Sequence, residues 1–121
     1  MPSETTAMTP GNHLQGIRLV LTTCADHDSA DQLARHLLEQ RLAACVSLLP
    51  VTSTYHWQGE LQQEQEVQMI IKTSPGQLPG LLKEVNRRHS YEAPELVVLD
   101  AGAAGSYGAW LLDAVASPRA S

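Results

Sequence analysis

The chain of 121 residues predicts an α+β fold, in which a four-stranded antiparallel sheet carries two helices on one face. Three observations predict it: two apolar stripes at helical spacing, four short strand-like stretches, and the order β-α-β-β-α-β in which they follow one another.

The first strand opens at Ile17. Ile17, Leu19 and Leu21 alternate with Arg18 and Val20 and lead into Thr22-Thr23, the pattern of a strand buried mainly on one face. Asp26, Asp28 and Ser29 offer oxygen caps for a helix start. Ala30, Leu33, Ala34, Leu37, Leu38 and Leu42 then fall on one stripe, which predicts an amphipathic helix over about residues 29–42. Ala44 to Leu49 reads as a buried strand. Pro50 cannot donate to a ladder, so the strand bends or bulges there or runs at a sheet edge. Strand character resumes from Val51 to Trp57, and Gln58-Gly59-Glu60 supplies a hairpin turn. The return strand, about Glu64 to Thr73, places Val67, Met69 and Ile71 on one side.

Ser74-Pro75-Gly76-Gln77 predicts a second helix start, with Leu78, Leu81, Leu82 and Val85 as its stripe and Arg87, Arg88 and His89 in its last turn. Leu96 to Leu99 reads as the final strand, and Gly102 and Gly105 break the chain. Tyr107, Trp110, Leu111, Ala114 and Val115 mark a short C-terminal helix. These elements make a ferredoxin-like βαββαβ sandwich with a trailing helix and a long hairpin between its second and third strands. Residues 17–116 form the single domain, residues 1–16 read as a flexible N-terminal tail, and residues 117–121 as a C-terminal tail.

Composition removes several functions. Eight Lys and Arg against thirteen Asp and Glu leave a net charge of −5, which lacks the basic field that neutralises phosphates, so nucleic acid is not expected as a partner. Two cysteines with no Cys-x-x-Cys pair exclude a disulfide framework and a closed zinc site. No apolar run reaches the roughly 20 residues that cross a bilayer, and the first sixteen residues carry no basic-then-apolar signal. No membrane partner and a cytoplasmic location are therefore expected.

The hairpin is too long for a self-contained monomer. Cys45 to Trp57 at about 3.3 Å per residue extends roughly 43 Å, whereas a domain of this size is about 34 Å across. An overhanging ribbon with Tyr55, His56, Trp57 and Leu61 at its tip needs burial against sister copies, so a homo-oligomer paired through its hairpins is expected.

Four segments carry a resemblance. Ala43-Ala44-Cys45, Tyr55-x-Trp57-x-Gly59, Glu64-x-Glu66-Val67-Gln68-Met69-x-x-Lys72-Thr73, and His89-x-Tyr91-Glu92-x-Pro94-Glu95 occur in order between Ile17 and Val115. Together they resemble the CutA divalent-cation tolerance proteins. The resemblance implies a homotrimer built by inter-subunit strand pairing and a link to copper or another divalent cation, bound without turnover and not required for folding. It implies a cleft between subunits that gathers Tyr55, Trp57, Glu64, Lys72, His89, Tyr91, Glu92 and Glu95. In some members copper ligation is ascribed to a cysteine at the end of the first strand and two adjacent histidines. The matching positions here are Thr22, Arg88 and His89, so only His89 keeps its ligand type. Cys24 lies two residues on, an offset that returns to the same side of a strand.

The soft and imidazole donors open to copper are Cys24, His27, His36, His56, His89 and the three methionines; of these Cys24 and His89 are the candidate metal ligands, each with an ordinary alternative, a surface thiol and a helix-terminal charge. Cys45 reads as a small buried hydrophobe. His27 and His36 read as solvated, as does His13 in the tail, and His56 as a packing residue at the hairpin tip. Glu92 and Glu95 could do acid–base work or bridge to Lys72 or Arg88, and Tyr55 and Trp57 serve best as interface anchors. Two rival functions share the fold. A nucleotide-sensing trimer of the PII type would bind in the same clefts, yet no Gly-rich phosphate loop appears. An acylphosphatase needs an arginine in its first loop, where Thr23-Cys24-Ala25-Asp26-His27 offers none. No enzymatic activity is expected.

Overall fold

The computed structural model describes residues 14–116; the readings of residues 1–13 and 117–121 as tails, and of His13, lie outside them. Strand β1 runs Leu14–Cys24, helix α1 His27–Glu39, strand β2 Cys45–Trp57 and strand β3 Glu60–Thr73. A 3-10 turn at Pro75–Gln77 leads into α2 (Leu78–Arg88), followed by β4 (Val97–Ala104) and α3 (Gly105–Ala114). The sheet is antiparallel with order β2-β3-β1-β4, so β2 and β4 are its edges.

Alternation along the strands sorts the two faces. Val20, Cys24, Met69 and Ile71 point to one face and form the main core with Ala30, Leu33, Ala34 and Leu37 of α1 and Leu81 and Val85 of α2. Helix α3 lies on the opposite face, where Leu111 packs against Ile17 and Ala103. Gly108 makes that docking possible, since a Cβ there would sit 2.8 Å from the Ala103 carbonyl oxygen. Among the described residues nothing covers the rest of that second face: Leu49, Val97 and Leu99 are exposed on it, beside the half-buried Leu21 and Ile70.

Several boundaries differ from the sequence reading. β1 begins at Leu14, so Leu14 to Gly16 belong to the sheet and pair with Gly102 to Ala104. Gly102 is therefore inside β4, beneath the Leu14 side chain, and only Gly105, at φ 62°, breaks the chain. α1 stops at Glu39, not near residue 42. Arg41 turns left-handed at φ 57°, its N–H bonds to the Leu38 carbonyl, and the Leu42 N–H bonds to the Leu37 carbonyl. That is a Schellman stop with arginine in the place glycine usually takes, and Leu42 keeps its apolar contact from beyond the helix.

Pro50 pairs in register with Val67, without a bulge, because β2 is an edge strand whose outer side needs no donor. At the tip, Gln58 and Gly59 both have positive φ, as a two-residue type I′ turn requires. β1 pairs with β3 only from Val67 to Thr73. Among the described residues the seven β2–β3 pairs from Val51–Glu66 to Trp57–Glu60 therefore extend with no third strand, a ribbon of about 23 Å.

Candidate functional site

One face of this ribbon forms one wall of a cavity of about 650 Å³. Ser53, Tyr55 and Trp57 of β2 and Gln62, Glu64 and Glu66 of β3 line it because period-two alternation aims all six at the same face, away from α1 and α2. The segment Ser90–Glu95, crossing the end of β1, supplies the other wall with Tyr91, Glu92 and Glu95.

Hydrogen bonds fix that crossing. His89 caps α2, and its Nε2–H donates to the Thr23 carbonyl at 2.6 Å. Its Nδ1 accepts from the Tyr91 N–H at 3.0 Å, which sets the neutral Nε2–H tautomer. Tyr91 then reaches over the sheet end and donates its hydroxyl to Glu66 Oε2 at 2.8 Å. Tyr55 donates to Glu64 Oε1 at 2.6 Å. Each phenol is held protonated by its environment. The bond to Glu64 pushes Tyr55 up to about 12, and burial, then the bond to Glu66, pushes Tyr91 up. Glu66 is only 8% exposed.

Behind this cavity, on the helix side of the sheet, lies a cluster of soft donors. Cys24 Sγ is 3.6 Å from Met69 Sδ and 3.9 Å from His89 Nε2. Cys24 is buried at 4% exposure, so it is not a surface thiol; burial, then the nearby carboxylates of Asp26 and Glu66, pushes its pKa up. Thr22 and Arg88, the other two positions to which the resemblance points, do not join it. Thr22 is fully buried with its Oγ1 unpartnered, and Arg88 pairs with Glu84 at 3.2 Å. Among the described residues no three His, Cys, Asp or Glu side chains cluster as a metal site.

Of the residues singled out from the sequence, Tyr55, Trp57, Glu64, Tyr91, Glu92 and Glu95 come together around the cavity. Cys24 and His89 come together behind it. Lys72 does not join either group: it pairs opposite Cys45 and bonds to the Tyr107 hydroxyl at 3.3 Å, beside α3. It bridges neither Glu92 nor Glu95. Cys45 is only half-buried. His36 is not free on the helix surface, since its Nε2 meets the Glu84 carboxylate of α2. His27 and His56 are exposed and outside both clusters. Sequence reasoning passed over Glu66 as a site residue and held Met69 only as one of three methionines able to serve copper. Their signal was parity: Glu66 shares a face with Gln62 and Glu64, and Met69 sits opposite Thr22 on the face that also carries Cys24.

Comparison with known proteins gives the family. A divalent-cation tolerance protein CutA from Pectobacterium atrosepticum is 45% identical over 95 residues, covering 77% of this chain and 86% of its own. The structure of CutA from Synechococcus elongatus superimposes with a TM-score of 0.82 at 38% identity, over 89% of this chain and 100% of that one. The periplasmic divalent cation tolerance protein CutA from Archaeoglobus fulgidus gives 0.80 at 28% identity, over 83% and 99%. Among the described residues no helix is long and apolar enough to cross a membrane. Residues 18–114 match the CutA1 divalent ion tolerance protein family, and the chain belongs to it.

Proposed function

We propose that this protein confers tolerance to metal by binding copper without turnover, as a homotrimer. The observation that carries the reading is the cluster of Cys24, Met69 and His89. Thiolate and thioether sulfur with imidazole nitrogen is a donor set suited to reduced copper, and its softness disfavours the hard ions magnesium and calcium. Copper is cargo in this account. Cys24, Met69 and His89 would hold the ion; His89 could ligate through Nε2 only if its proton shifted to Nδ1, which would cost both the bond to the Thr23 carbonyl and the bond from the Tyr91 N–H, and the Cys24 thiol would release its proton to solvent.

The trimer is supported by the uncovered apolar face with Leu49, Val97 and Leu99, by two open sheet edges and by the projecting ribbon. Two free cysteines suit the reducing cytoplasm. A nucleotide ligand is disfavoured, since among the described residues four carboxylates and no basic side chain line the cavity.

Competition for monovalent copper against a chromophoric chelator tests the reading on the full chain. One copper per protomer is expected, with Cys24→Ser and the volume-conserving Met69→Leu each weakening it at least tenfold. Equal binding by wild type and Cys24→Ser would remove the metal site.

A further inference from the structure

The acidic, aromatic front of the ribbon has a complement on its own chain, but out of reach. Tyr55, Trp57, Glu64 and Glu66 stand on that front. Along β3 the same side of the sheet continues through Ile70 to Lys72. Among the described residues the strands carry two lysines or arginines, Arg18 and Lys72. Arg18 shares the helix side with Val20 and pairs with Asp100 at 3.0 Å, which leaves Lys72 as the strand cation of the open face. Lys72 stands at a corner with α3. Its ammonium donates one of three N–H groups to the Tyr107 hydroxyl at 3.3 Å, and Tyr107 lies against Trp110 with ring centroids 5.5 Å apart. The two rings are 42% and 49% exposed, so the corner shows a cation with two further donors beside two open aromatic faces.

Glu64 and Lys72 are eight residues apart on one strand, roughly 26 Å, which no pair of rotamers spans within a chain. A second copy can bring them together. Resting on the homotrimer reading above, we propose that the front of each ribbon docks on the α3 corner of the next copy, with Glu64 on that copy's Lys72 and Trp57 against its Tyr107 and Trp110. Glu66, committed to the Tyr91 hydroxyl, stays behind the contact, whereas Glu64 keeps one carboxylate oxygen beyond its bond from Tyr55. The contact joins two unlike patches head to tail, and such contacts close into a ring when the rotation permits. Rotation about a three-fold axis carries a group around the axis and never along it. Glu64 and Lys72 therefore lie at one height, which sets β3 across the axis and makes each ribbon wrap the next copy.

Sedimentation velocity over a dilution series of the full chain reads the contact. Lys72→Glu and Glu64→Lys are each expected to raise the protomer concentration of half-dissociation at least tenfold, because each sets like charges face to face. The combined variant restores the pair with its sign reversed and should return close to wild type, a rescue that a merely misfolded single variant would not show. Trp110→Ala, at a half-exposed side chain outside the core, should raise the same concentration severalfold. Trimers undiminished in both single variants, or a combined variant no better than the weaker single, overturn the docking and leave the trimer standing. A wild-type chain that sediments as a monomer overturns the trimer reading and the docking with it.

Discussion

Replacing Tyr91 by Phe isolates the bond that holds the connector over the sheet. The Tyr91 hydroxyl donates to Glu66 Oε2 at 2.8 Å, and Glu66 is 8% exposed, so water cannot readily replace the lost donor. A hydrogen bond to a charged group contributes about 1.5–3 kcal/mol, and a carboxylate left buried without its donor loses that much. The expected cost is a drop of about tenfold to a hundredfold in the folding equilibrium constant. Urea unfolding at fixed protomer concentration reads it, because association would otherwise shift the midpoint. Removing both partners tests the reasoning further. The Tyr91→Phe/Glu66→Leu variant has no orphaned charge and should recover most of the loss, since replacing both members of a buried pair by apolar groups is nearly neutral. A single variant within about 0.5 kcal/mol of wild type, or a double variant no better than the single, refutes the argument.

Three further outcomes are expected. Leu111→Ala empties the fully buried anchor of α3 and should cost about 2–5 kcal/mol, seen as a large fall in thermal midpoint. Glu84 is held at about 2, first by Arg87 and then by His36, so its contribution to stability is complete above about 4.5 and fades as pH falls towards 2. Glu84→Gln should therefore flatten the acid limb of the stability profile in that window, measured by denaturation at a series of pH values. Because Glu64 disfavours the Tyr55 phenolate, ionisation followed by ultraviolet absorbance should show a step near pH 12 that Tyr55→Phe deletes and Glu64→Gln moves downward.

The layered architecture was legible because period-two and period-3.6 patterns are long and clean in this chain. Leu33, Leu37, Leu81 and Val85 occupy the core that their stripe implies. Helix and strand ends were less legible. Arg41 stops α1 in a conformation that usually announces itself as glycine, and Gly102 lies inside a strand because Leu14 covers it. Pairing with Gly16 decided the second, and pairing partners are not written locally. The cavity was legible residue by residue in Tyr55, Trp57, Glu64, Tyr91, Glu92 and Glu95. Its division from the sulfur cluster was not, since that depends on which face each strand residue takes. Lys72 shows the limit: it lies on the same face as Glu64 but eight residues along the strand, roughly 26 Å away.

Sedimentation velocity on the tag-free chain at micromolar concentration tests the central claim, that the uncovered apolar sheet face and the ribbon are completed by sister copies. The account requires a single species of three 13.1 kDa chains, dissociated or destabilised by Leu99→Glu on that face. A stable, well-folded monomer of 13.1 kDa would contradict it.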